Sequence, residues 1–224
     1  GVYDLVARGA AAANYTFTYQ NGTLTVVPGA PTRIDLSSST VYENTATGTL
    51  AGTLSSTSDD PNAAFTYALV GGAGDTDNSL FTLVNNEIRT TASLNYEQKS
   101  SYQVRVRSTT QHGFSLDKEF TISINDVNEV PTLAAIADQT ICYTTSQQAI
   151  GLSDITAGED HHQTVSLAVS SSNAELFSQL AVSGNEVRYK VKDGQSGTAQ
   201  ITVTVTDNGG TANGGTDTYS RTFT

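Results

Sequence analysis

The residues best suited to chemistry lie close together between Phe120 and Pro131, in the stretch F-T-I-S-I-N-D-V-N-E-V-P. Asp126, Asn128 and Glu129 supply hard oxygen donors almost side by side. Such donors suit calcium, which takes about six to eight oxygens in a flexible shell. The residues before them alternate, with Phe120, Ile122 and Ile124 against Thr121, Ser123 and Asn125. A period of two predicts a strand, so the donors sit at a strand end. Pro131 stops the strand. The position, ahead of a new run of strands, predicts a linker between two domains.

The elements that must position these donors are strands. Helix signals are almost absent, and short alternating runs rich in Thr, Ser and Val recur between turn residues. That is the pattern of an all-β protein built from β-sandwiches. The breaks V-V-P-G-A-P-T (26–32) and D-V-N-E-V-P-T (126–132) divide the chain into a leading piece at 1–29, a middle domain at 30–131 and a last domain at 132–224. The leading piece has Y-T-F-T-Y (15–19) and T-L-T-V-V (23–27) flanking Asn21-Gly22, which predicts a hairpin. A few strands cannot bury a core alone, so the piece is expected to close a domain that begins upstream. Neither end carries a start or stop signal, and methionine is absent. The expectation is a piece of a longer polypeptide.

Seven strands are predicted in the middle domain, near 34–42, 47–54, 65–70, 80–84, 87–91, 102–107 and 116–124. Successive antiparallel strands deliver their loops alternately to the two poles of a sandwich. Counting them places Glu43, Glu97, Asp126 and Glu129 at one pole. The same count in the last domain puts Glu159, Asp160 and Asp207 at the pole that faces them. Facing carboxylates repel unless a cation lies between them, which is the physical case for calcium. Asp59 and Asp60 read as turn residues, and Asp75 and Asp77 as loop caps.

Net charge is −11, which argues against nucleic acid and anionic membrane surfaces as partners. No apolar run reaches the roughly 20 residues of a membrane span. The single cysteine, Cys142, excludes an intrachain disulfide and reads as a small core residue. Tyr3, Tyr15, Tyr19, Tyr102 and Tyr189 also stand in core-like alternation. His161-His162 and His112 lack a third soft ligand nearby. G-G-A-G (71–74) and the glycines of 208–215 are hairpin loops with no helix to seat a phosphate. Glu43 with Glu97 would make a glycosidase pair only beside aromatic platforms, which are missing at a sandwich pole. No enzyme is predicted.

Taken in order, Y-E-N (42–44), A-T-G-T-L-A-G-T-L (46–54), F-T-Y-A-L-V (65–70), L-F-T-L (80–83), L-N-Y-E (94–97), Y-Q-V-R-V-R (102–107) and D-V-N-E-V-P (126–131) resemble a cadherin repeat of the bacterial type, over about 34–131. The last domain, through I-T-V-T-V-T-D-N-G-G (201–210), resembles Ig-like or cadherin-like repeats of bacterial surface proteins, and the leading piece resembles small β-domains of secreted Bacteroidetes proteins. The resemblance implies tandem Ig-like/cadherin-like Greek-key β-sandwiches. It implies calcium on Glu43, Glu97, Asp126, Asn128 and Glu129; the strand count adds Glu159, Asp160 and Asp207 as candidate ligands from the last domain. The resemblance also implies an extracellular adhesin, secreted or at the cell surface, whose partners are neighbouring domains of its own polypeptide and, beyond it, like molecules, surface glycans or proteins. The family's D-x-D loop reads D-D-P-N (59–62) here, Thr110 stands where a carboxylate is expected, and 26–32 lacks D-x-N-E. Calcium is therefore expected near residue 130 and not near residue 30. The alternative is a carbohydrate-binding module of a secreted polysaccharide-degrading protein.

Overall fold

A computed structural model describes residues 2–10, 13–14, 16–25, 29–160 and 162–224, and for 24–25 the backbone alone. The described chain is all-β, with three short 3-10 turns between its strands. Its strands build β-sandwiches from pairs of antiparallel sheets. By contacts it divides into two compact units. One comprises Gly1–Val41, Thr45–Leu94 and Ser101–Ser123; the other comprises Tyr42–Asn44, Asn95–Ser100 and Ile124–Thr224.

The leading piece contributes β1 (Val2–Leu5) and β2 (Gly22–Thr25), paired antiparallel with Leu5 opposite Gly22. This differs from the predicted hairpin. Residues 16–20 form no strand, and Gly22 starts a strand instead of turning the chain. Of the predicted hairpin and linker, Tyr15, Val26, Val27 and Pro28 lie outside the described residues. Tyr3 and Tyr19 are exposed, not core residues.

Next come β3 (Arg33–Leu36), β4 (Thr40–Tyr42), β5 (Leu50–Thr57), β6 (Phe65–Leu69), β7 (Phe81–Val84), β8 (Glu87–Thr90), β9 (Ser101–Thr110) and β10 (Ser115–Asn125). They form two four-stranded sheets, β3-β5-β8-β7 and β4-β10-β9-β6. The expected first strand is broken in two at Ser37–Ser39. Ser37 N–H donates to Thr53 of β5, while Ser39 C=O accepts from Ser123 of β10. The chain thus crosses from one sheet to the other through three serines. The alternation of β9 buries Tyr102, Val104 and Val106, and Ile34, Leu54, Ile88 and Ile122 of the other strands are buried as well. Phe81 meets Tyr102 edge to face at 6.1 Å. Thr110, where the family pattern calls for a carboxylate, is buried, and its hydroxyl donates to Phe114 C=O.

The second unit holds β11 (Gln148–Gly151), β12 (Val165–Ser171), β13 (Phe177–Val182), β14 (Glu186–Val191), β15 (Ile201–Asp207) and β16 (Thr218–Phe223). Its sheets are β11-β14-β13 and β12-β15-β16. Leu133, Leu152, Leu176, Val187, Ile201, Val203, Val205 and Phe223 fill the space between them. Alternation along β15 puts Ile201, Val203 and Val205 inward, and the same period carries Asp207 to the inner face at the strand end. Cys142 is exposed. Its apolar neighbours Ile141 and Tyr143 are exposed with it, because this stretch joins no sheet.

Core packing in the first sandwich should be sensitive to truncation. Ile122 is fully buried, and Ile122→Ala should cost about 2–5 kcal/mol. The check is the urea midpoint. A loss within about 0.5 kcal/mol, the range of surface changes, would mean that the two sheets do not close on this residue.

Candidate metal centre

Glu43 follows β4 and is 2% exposed. Its carboxylate accepts from Tyr96 N–H at 2.7 Å and from Val127 N–H at 2.9 Å. Its own N–H donates to Asn125 C=O at 3.0 Å. One buried side chain therefore fastens three stretches far apart in sequence. Asn95 shapes the second of them. Its Oδ1 accepts from Gln98 N–H at 2.7 Å, which forms the turn that presents Glu97. The third stretch leaves β10 directly, and Asp126 is its first residue.

The outcome is two overlapping groups of carboxylates. Glu43, Glu97 and Glu129 present oxygens within 4.8 Å of one another, and Glu97, Asp126 and Asp160 do the same. Five of the eight residues expected as ligands are thus gathered. Asp160 comes from the loop after Ala157. Gly158 makes that loop possible: its φ is +86°, and a Cβ there would stand 2.9 Å from Glu129 Cβ. The remaining three are placed differently. Glu159 is exposed and its carboxylate accepts from Asn95 Nδ2 at 2.7 Å. Asn128 and Asp207 meet each other, Nδ2 to Oδ1 at 3.0 Å.

Two unit charges 4 Å apart repel by roughly 4 kcal/mol at an effective dielectric of about 20. The side-chain and backbone donors that meet the triads are neutral: the N–H groups of Tyr96 and Val127, Asn44 Nδ2, which reaches Glu129 at 2.8 Å, and Gln163 Nε2, which reaches Asp160 at 2.6 Å. Hydrogen bonds to charged groups contribute about 1.5–3 kcal/mol each, so they do not offset repulsion among several carboxylates. Protons answer part of it. Burial, with Glu43, Glu97 and Asp160 adding to it, pushes the Glu129 carboxyl up to about 7, against the opposing hydrogen bond from Asn44. Burial also raises Glu97, with Glu43, Asp126 and Asp160 contributing. Asp126 is exposed as a residue, yet lost hydration of its carboxyl raises it, and Asp160 and Glu43 add to the effect.

The site fits a hard cation on a second ground. Glu97 Oε2, Glu129 Oε2 and Asp207 Oδ2 are buried without a hydrogen-bond partner. Buried oxygens of this kind are costly unless something positive meets them. Sequence reasoning missed Asn44, Asn95 and Gln163. The first two adjoin predicted ligands inside Y-E-N and L-N-Y-E; nothing in the sequence marks Gln163. Asp60 caps its own turn through Asn62 N–H, Asp75 accepts from Gly72 N–H, and Asp77 accepts from Gln103 N–H. His112 and His162 are exposed; His161 lies outside the described residues.

Residues 37–125 match the family described as the cadherin domain. This segment is similar to a cadherin repeat. The protocadherin alpha-2 proteins of human and chimpanzee are each 30% identical to the chain over 139 residues, 57% of the chain. The chain spans 15% of the length of these curated relatives. Among solved structures, a crystal form of human protocadherin-24 EC1-2 aligns with a TM-score of 0.54 at 17% identity, over 89% of this chain and 98% of that one. That likeness shows the fold alone. The relatives are mammalian, so they give no support to the bacterial part of the resemblance.

The raised carboxyls set a pH dependence with a definite sign. Folded Glu129 holds its proton up to about 7, whereas the unperturbed group loses it near 4.5. The folded state binds more protons across that interval. The contribution is full below the unfolded value and is lost as pH rises through the folded one. In EDTA, the melting temperature of the parent should fall relative to Glu129→Gln between about pH 5 and about pH 8. Parallel profiles for the two proteins would contradict the assignment.

Proposed function

We propose that this chain is a calcium-binding segment of an extracellular adhesion protein. Glu43, Glu97, Asp126, Glu129 and Asp160 would supply the ligands. The observation that carries the reading is the pair of overlapping carboxylate triads with buried, unpartnered oxygens on Glu97 and Glu129. The donors are all carboxylate oxygens, the set a calcium ion prefers. A smaller ion such as magnesium keeps several waters and dehydrates reluctantly, which suits a closed cage of carboxylates poorly.

A bound calcium neutralises charge that would otherwise be distributed among protons and strain. The ligands flank 125–131, the stretch between the proposed domains at 30–131 and 132–224, so the ion restricts the freedom of the chain there. The role is mechanical: calcium rigidifies tandem sandwiches so that they can space or present an adhesive surface. Thr110 in place of a carboxylate and the self-capped turn at Asp60 support the companion reading that the opposite pole of the first sandwich holds no calcium. The partners of the whole protein would be its neighbouring domains and like molecules at a cell surface. No catalytic role is proposed. Among the described residues no helix is long and apolar enough to cross a membrane.

At a calcium concentration a hundred times the Kd, binding adds about 2.7 kcal/mol, worth about 5–10 °C in Tm for a chain of this size. The parent should show that rise between EDTA and calcium. Glu97→Ala with Asp126→Ala should abolish it while leaving both sandwiches folded by circular dichroism. Superimposed melting curves of the parent in EDTA and calcium would sink the reading.

A further inference from the structure

Beside the triads lies a second polar cluster that is arranged differently. Asn128 Nδ2 donates to Asp207 Oδ1, Gly210 C=O and Thr216 C=O, each at 3.0 Å. Its Oδ1 accepts from Gln163 Nε2 at 2.7 Å. The same Gln163 nitrogen donates to Asp160 Oδ2 at 2.6 Å. A single amide NH2 thus sits between the Asn128 carbonyl and the Asp160 carboxylate. Its orientation is dictated by its neighbours, because turning the amide over would set oxygen against two acceptor oxygens.

Asp207 is 5% exposed. Its Oδ1 is met by Asn128 and by Gly209 N–H at 2.9 Å, while its Oδ2 has no partner. Gln163 Oε1 is likewise buried and unpartnered. The backbone is shaped to admit the amide. A Cβ on Gly209 would overlap Asn128 Oδ1 and lie 2.5 Å from Gln163 Nε2. An oxygen cluster of this kind, with a buried acidic oxygen to spare, would suit a cation, yet its centre is taken by a neutral donor.

We propose that the Gln163 amide stands in for a cation. It holds Asn128 and Asp160 together in place of a metal ion and so confines calcium to the carboxylate triads. The proposal rests on the calcium reading for the triads but concerns a different set of contacts. It makes Gln163 the residue that sets how many ions the chain takes. It also narrows the expected ligand set: Asn128 and Asp207 belong to a half of the site that closes without metal. Removing the amide donors should free Asn128 Oδ1 and Asp160 Oδ2, which with the already unpartnered Asp207 Oδ2 would be open to an additional ion.

The test uses the full 224-residue chain with calcium alone as the probe, followed by calorimetric titration and by melting in EDTA. Gln163→Glu replaces a donor with a carboxylate. It should bind one more calcium per chain than the parent, melt lower than the parent in EDTA, and recover in calcium. Gln163→Ala, which removes the donors without adding charge, should also gain one ion and remains informative if the glutamate variant fails to fold. A stoichiometry equal to the parent's in the folded variants overturns the proposal, whatever happens to the melting temperature. If the parent takes up no calcium but a Gln163 variant takes up one ion, the triad reading fails and this proposal stands.

Discussion

A buried carboxylate with both oxygens satisfied by backbone N–H groups is the constraint on which the rest of the site depends. Glu43 is enclosed, and its two oxygens hold Tyr96 and Val127. Burying an ionised group costs several kcal/mol unless its hydrogen bonds are made, and here they are made by the backbone of the two stretches that carry the other ligands. The same bonds that keep Glu43 soluble in the interior therefore bring Glu97 and Asp126 to it. Once they are fixed, their mutual repulsion follows from the geometry. The backbone thus gathers these carboxylates, and their crowded charge follows from that placement.

That charge is handled in two ways within a short distance. In the triads burial, with repulsion from neighbouring carboxylates, pushes Glu129 and Glu97 toward their protonated forms, and one oxygen of each stays unpartnered. In the adjacent cluster, amide groups bridge the oxygens: Asn128 spans Asp207 and two backbone carbonyls, and Gln163 spans Asn128 and Asp160. An amide NH2 offers two donors and no net charge, so it can order two acceptors without the desolvation cost of an ammonium or guanidinium group. Asp160 belongs to both arrangements, which couples them through one side chain.

How far all this could be read from the sequence depended on whether a residue's role is set by its own strand or by its neighbours. The alternation of Tyr102, Val104 and Val106, and that of Ile201, Val203 and Val205, is visible as a period of two, and the second series carries on to Asp207. Counting antiparallel strands was enough to join Glu43, Glu97, Asp126 and Glu129, because a strand must deliver its end to one pole or the other. The break at Ser37–Ser39 was hidden, since it is fixed by which of β5 and β10 each half meets. The Asn21-Gly22 hairpin failed for the same reason: β2 found β1 as its partner, not the residues just before the turn. Cys142 had an alternating context but no neighbouring strand to bury it. Gln163 was illegible because an amide in a Thr- and Ser-rich chain gains meaning only from the oxygens on either side of it.

Placing the acidic residues at strand ends, not within the strands, has a physical consequence for stability. A carboxylate in the middle of β9 or β15 would face Val104 or Val203 and could not be rescued by any ion. Glu43 and Asp126 directly follow strands, while Glu97, Glu129 and Asp160 lie in the connecting loops, so their energetic demand falls on the loops. The cores between the sheets, built from Ile34, Ile88 and Ile122 in one unit and Val187, Val203 and Val205 in the other, are insulated from it. The stretches 95–98 and 125–129 are held by polar contacts, so they answer to charge state in a way that the apolar sheets do not.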